Sequence, residues 1–131
     1  MATLEAELRT YTLAGAAVAA LVGTRMHARM LPQAPTLPAI VYQRISTRRL
    51  HDMAGPDGLP QARMQVTCWG GTPAVAYSVA SVVRERLDGA KGTWGTLTIG
   101  ACLCVGERDL DDPEANRSGV ALDFMIQYQE V

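Results

Sequence analysis

The sequence predicts an α+β domain: an antiparallel β-sheet with two helices packed on one face and a long β-hairpin arm. Three observations carry this. An N-capped stretch with apolar residues at helical spacing opens the chain, two strand-like runs flank a Gly- and Pro-rich turn, and the last segment alternates apolar and polar residues without interruption. With 131 residues, 48% hydrophobic and 19% charged, the chain has the size and apolar content of a single domain over residues 1–131. Twelve basic against 13 acidic side chains give a net charge of −1, which excludes a disordered tail and argues against a free-standing nucleic-acid binder.

The first helix is expected to start at the N-cap Thr3, with Glu5 and Glu7 near its positive end. Leu4, Leu8, Tyr11, Gly15, Val18 and Val22 then share one face, and Gly23 ends the helix. Pro32, Pro35 and Pro38 follow at intervals of three, the spacing of an extended, semi-rigid connection. Residues 39–46 (AIVYQRIS) read as a strand, and residues 47–50 extend it. Gly55, Pro56, Asp57, Gly58 and Pro60 form a turn, because Pro presets φ and Gly accepts positive φ. Residues 62–69 return as the second strand, so the two form a long hairpin.

Thr72 and Pro73 make an N-cap followed by Pro at the first helical position. Ala76, Val79, Ala80, Val83 and Leu87 form the apolar stripe of this second helix, Arg84, Glu85 and Arg86 its solvated face, and Asp88–Gly89 its stop. A Gly-punctuated strand region is expected over residues 96–105. The segment ERDLDDPEANRSG after it is expected as an acidic loop, and residues 120–129 as the final half-buried strand.

No catalytic constellation is visible: G-x-S-x-G, H-E-x-x-H and P-loop motifs are absent. His51 beside Asp52 is the nearest thing to a dyad, but adjacent strand residues point apart. The acidic segment lacks the ligand spacing of an EF-hand. Cys102 and Cys104 fall on one face of a strand, yet His27 and His51 are far off in sequence, so the missing ligand set favours apolar filler over zinc. No cofactor is implied. The longest apolar stretch, residues 13–22, is half a bilayer span, and no secretory signal is expected.

Charge divides unevenly along the chain. Residues 1–65 hold seven basic and four acidic side chains, +3, whereas residues 66–131 hold five basic and nine acidic, −4. Arg44, Arg48 and Arg49 on the first hairpin and Glu107, Asp109, Asp111 and Asp112 in the acidic segment carry most of this difference. Two readings stand side by side: two solvated surfaces of opposite sign, or a basic side that meets a neighbour's acidic side in a head-to-tail ring.

Taken in order, LEAEL, GTRMHARMLPQAPTLPAIVYQRIS, HDMAGPDGLPQARMQVTCW, TPAVAYSVASVVRERLDG and ERDLDDPEANRSGVALDFMIQYQE closely resemble the tail-completion family of long-tailed bacteriophages, prophages and gene transfer agents. The most specific pieces are P-x-x-P-A-I-V-Y-Q-R-I-S, D-G-x-x-x-A-R-x-Q-V and the terminal L-D-F. Residues 89–105 match least. The resemblance implies a non-enzymatic virion protein at the head–tail interface, assembled in the host cytoplasm. It implies a homo-hexameric ring at the head-proximal end of the tail tube, which ends tube polymerisation and joins the tail to the head connector. The implied partners are itself, the tail tube protein and the head–tail connector protein; DNA passes through the lumen without sequence readout, and no membrane is involved. A neck adaptor nearer the portal is the alternative, and a small ligand-binding or enzymatic domain a more distant one. The hairpin over residues 39–49 and 62–69 is then an arm, and residues 52–61 an assembly loop that orders on docking. Arg44, Arg48, Arg49, Asp57, Glu107, Asp109, Asp111 and Asp112 are the expected interface residues.

Overall fold

The computed structural model describes residues 3–49, 51–52, 55–56 and 60–129. It is a mixed α+β fold: one six-stranded sheet, mostly antiparallel, with three helices, and a separate two-stranded pair. The elements run α1 (Leu4–Leu13), α2 (Ala16–Val22), β1 (Met26–Ala28), β2 (Ala39–Arg48), β3 (His51–Asp52), β4 (Gly55–Pro56), β5 (Gln61–Gly70), α3 (Pro73–Leu87), β6 (Gly92–Trp94), β7 (Leu97–Asp112) and β8 (Arg117–Gln129). The large sheet has the order β1-β2-β5-β8-β7-β6, and β3 pairs with β4. Only β1, which lies parallel to β2, departs from the expected antiparallel pattern.

The expected first helix is two helices. Thr3 does cap α1, accepting from the Ala6 N–H at 3.1 Å, but the chain breaks at Ala14 and Gly15, and Gly15 is the extended N-cap of α2. The cause is tertiary. Arg86 of α3 donates from Nε to the Tyr11 carbonyl at 3.0 Å, and its guanidinium lies 3.8 Å from the Tyr11 ring centroid. A Cβ at position 15 would come within 2.9 Å of the Arg86 side chain, so a larger residue there would have to displace Arg86. On its other face Tyr11 stacks on Trp94 at 4.5 Å, which ties α1, α3 and β6 together. Arg86 is therefore no solvated residue.

Three further expectations change. The Pro-rich connection is not one continuous extended segment, because Ala34 has φ 52. The strand expected to stop at residue 105 runs on to Asp112, so the acidic segment is largely β7 and only residues 113–116 make the turn. The turn after β2 contains the β3–β4 pairing; Asp57 and its neighbours at 53–54 and 58–59 lie outside the described residues.

The final strand reads as the sequence predicts: Val120, Leu122, Phe124, Ile126 and Tyr128 are all buried. They share one core with Ala62, Met64, Val66 and Cys68 of β5 and Ala76, Val79, Ala80, Val83 and Leu87 of α3, joined by Leu4, Leu8, Val18 and Val22. α3 starts as expected, with the Thr72 hydroxyl accepting from the Val75 N–H at 3.3 Å. Its seat is tight at β5: a Cβ on Gly70 would stand 2.7 Å from the Ala76 nitrogen.

Both long edges of the sheet are only partly covered. β1 pairs with Ile40 to Tyr42 of β2, and β6 with Leu97 to Ile99 of β7. Further along β7, the turn after α3 takes over: Gly89 N–H donates to the Cys102 carbonyl at 2.7 Å, and Asp88 Oδ1 accepts from the Cys104 N–H at 3.0 Å. Bulges interrupt β7 near Gly100 and Val105, and β2 near Ile45.

Candidate functional site

Of the charged residues singled out by sequence, Arg44 and Arg48 lie on β2, Arg49 just past its end, and Glu107, Asp109, Asp111 and Asp112 on β7, while Asp57 lies outside the described residues. β2 and β7 do not adjoin within one subunit, because β5 and β8 lie between them. Most of these charged residues are instead occupied locally.

Arg44 donates from Nε to Glu5 of α1 and from Nη1 to the hydroxyls of Thr47 at 2.9 Å and Tyr128 at 3.2 Å. Burial opposes its charge, yet the hydrogen bonds to Glu5 and Tyr128 outweigh burial and raise the pKa of the guanidinium. Arg44 thus fastens α1 to the sheet. Arg48 and Arg49 are exposed further along the same side. Arg48 makes no hydrogen bond or ion pair among the described residues.

On β7, strand alternation puts Glu107 and Asp109 under α3. Arg84 Nη1 donates to Glu107 at 2.9 Å, and the Tyr77 hydroxyl donates to Asp109 at 3.0 Å. That hydrogen bond, with the carboxylate charge behind it, raises the Tyr77 pKa. Asp112 pairs with Arg117 across the β7–β8 turn at 3.1 Å, and Arg117 lies 5.0 Å from the Trp69 ring centroid. Asp111 is exposed and makes no hydrogen bond or ion pair among the described residues. Tyr77 and Arg84 were not legible as partners: Tyr77 and Asp109 are 32 positions apart and Arg84 and Glu107 23, so no local pattern links them.

The cysteines behave as core atoms. Cys68 and Cys102 are buried, Cys104 partly so, and all three are free thiols. Burial first, then Asp88 and Cys104, push the Cys102 thiol up to about 12. Burial also leads the upward shifts of Cys68 and Cys104. Among the described residues no group of three or more His, Cys, Asp or Glu is placed to hold a metal ion.

Depressions on the surface include one of about 400 Å³ lined by Ser81, Arg84, Glu85 and Asp88. Another of about 150 Å³ lies between the start of α3 and β7–β8, lined by Tyr77, Asp109, Asp111 and Ser118. A third of about 320 Å³ lies where residues 29–32 cross the sheet over Gln43, Gln65, Thr67, Trp69 and Arg117. Its lining holds no carboxylate, thiol or imidazole, so it offers no nucleophile with a base beside it. No helix among the described residues is long and apolar enough to cross a membrane.

The fold has solved counterparts. A chain from a structure titled "Virion of native gene transfer agent (GTA) particle" superposes with a TM-score of 0.81 at 18% sequence identity, covering 96% of this chain and 94% of that one. No curated protein sequence matches the chain. The family model described as "Tail completion protein gp17" matches residues 6–129, from the first turn of α1 to the end of β8. The match takes in all of the fold but the first two residues of α1, and the chain belongs to the tail completion protein gp17 family.

Proposed function

We propose that this protein is a structural, non-enzymatic component of a phage or gene-transfer-agent tail. It assembles into a hexameric ring at the head-proximal end of the tail tube, ends tube polymerisation there and presents the surface to which the head connector docks. The observation that carries this reading is the match of a tail-completion family model over residues 6–129. The shared fold with a chain of a gene transfer agent virion supports it. In this reading the hairpin of β2 and β5, with the segment between them, serves assembly. DNA traverses the lumen without sequence readout.

Size-exclusion chromatography with light scattering tests the reading directly. Six subunits of 14.1 kDa give a ring of 84.6 kDa. The ring is expected alone or on addition of purified tail-tube protein, and negative-stain images should show it at one end of the tube. A 14.1 kDa monomer under all these conditions refutes the ring. Binding to portal-side adaptors but not to the tube would move the protein into the neck.

A further inference from the structure

We propose that the ring, taken as read above, closes by edge-to-edge strand pairing, with residues 106–112 of β7 in one copy lying antiparallel to residues 43–48 of β2 in the next. No described strand covers the outer edge of either stretch; the rest of the sheet's rim is formed by β1 and β6, three residues each. β1 stops at the partner of Tyr42, and the cover on β7 stops at Cys104. An uncovered edge presents main-chain N–H and C=O groups ready to pair with another strand.

Three properties select a second copy as the occupant. The first is direction. From β2 to β7 the sheet takes three antiparallel steps, so the two edges run in opposite senses. Copies related by a rotation axis keep the same orientation, and β7 of one therefore meets β2 of the next antiparallel. The second is charge. Glu107, Asp112 and Arg44 are paired within the subunit, which leaves Asp109 and Asp111 against Arg108 on residues 106–112 and Arg48 alone on residues 43–48. The contact is heterologous and complementary, as a ring requires. Exposed Ile45 on β2 and Val105 on β7 add apolar surface at the same edges.

The third property is closure. Arg44 stands in register with Met64, Phe124 and Cys104, and Asp109 with Val120, Cys68 and Ile40. The two open stretches are thus offset along the strands by about five residues, roughly 17 Å, across four strands spanning roughly 19 Å. Joining them tilts the strands by about 40° to the ring axis, inside the range of closed barrels. Six copies contribute about 24 strands and a circumference near 150 Å, so the closed sheet is roughly 50 Å across, wider than barrels that already leave an open channel.

Hydrogen exchange on the wild-type protein, above and below the concentration at which the ring dissociates, tests the pairing. Assembly should slow exchange on the order of tenfold or more at amides in both stretches, 43–48 and 106–112, with the turn at 113–116 unchanged. A ring in which either stretch exchanges as fast as in the monomer overturns the pairing and leaves the ring reading standing. If no ring forms, alone or on the tube, the ring reading fails and the pairing with it.

Discussion

Replacing Gly70 with alanine tests how α3 is seated. Gly70 ends β5 and is buried, three residues before the helix begins. A Cβ there would stand 2.7 Å from the Ala76 nitrogen and 2.9 and 3.0 Å from Cγ1 and Cβ of Val75. Ala76 N cannot swing aside as a flexible side chain would, because it donates to the Thr72 carbonyl at 3.1 Å. Relief requires the helix to slide, and α3 is held by five buried side chains, Ala76, Val79, Ala80, Val83 and Leu87. Overpacking of this kind costs about 1–3 kcal/mol. For a domain of this size, 2 kcal/mol lowers Tm by roughly 6–10 °C. Gly71→Ala is the control: its Cβ would meet nothing within 4 Å and its φ is not positive. It should be neutral or stabilise by up to about 1 kcal/mol through the unfolded chain. Thermal melts of both variants at one fixed protein concentration decide the matter. Equal Tm values for Gly70→Ala and wild type would refute the tight seat of α3 on β5.

Other consequences follow from the same packing. Arg44→Leu leaves Glu5 and the Tyr128 hydroxyl without their shared partner, and should cost about 1–2 kcal/mol in a urea melt; an unchanged midpoint would show that α1 is held without it. The raised pKa of Tyr77 means that the folded state holds the phenolic proton more tightly than the unfolded chain does. Its contribution to stability is present below the ordinary tyrosine range and lost as pH rises through the higher folded value. Asp109→Asn should bring Tyr77 ionisation back toward the ordinary range, seen in phenolate absorbance. In the native protein at mildly alkaline pH, iodoacetamide should modify Cys104 first, because Cys102 and Cys68 are buried and shifted further up. Rapid alkylation of Cys102, mapped by mass spectrometry, would contradict that burial.

Sequence alone determined the elements whose signal is local. α3 was legible because Thr72, Pro73 and the stripe Ala76, Val79, Ala80, Val83, Leu87 all act within one helix. β8 was legible because its alternation matches the pleat of a half-buried strand. The family was legible as well, because the order and spacing of segments survive in the sequence itself. What tertiary structure decided involves partners far apart in the chain. In the alanine-rich stretch after Leu13, Gly15 only weakens the helix locally; the break is set where Arg86, more than 70 positions away, takes the Tyr11 carbonyl and packs against Gly15. Glu107 to Asp112 has the composition of a solvated loop, and becomes strand because β8 pairs with it while Arg84 and Tyr77 of α3 meet its inward carboxylates. The charge division shows the same limit. Counting along the chain separates a basic half from an acidic half, but Arg44 is matched by Glu5 in its own half and Glu107 by Arg84 in its own. Linear sequence records how much charge each segment carries; only the packed chain determines which of those charges are already answered, because Coulomb interactions act over distances in space.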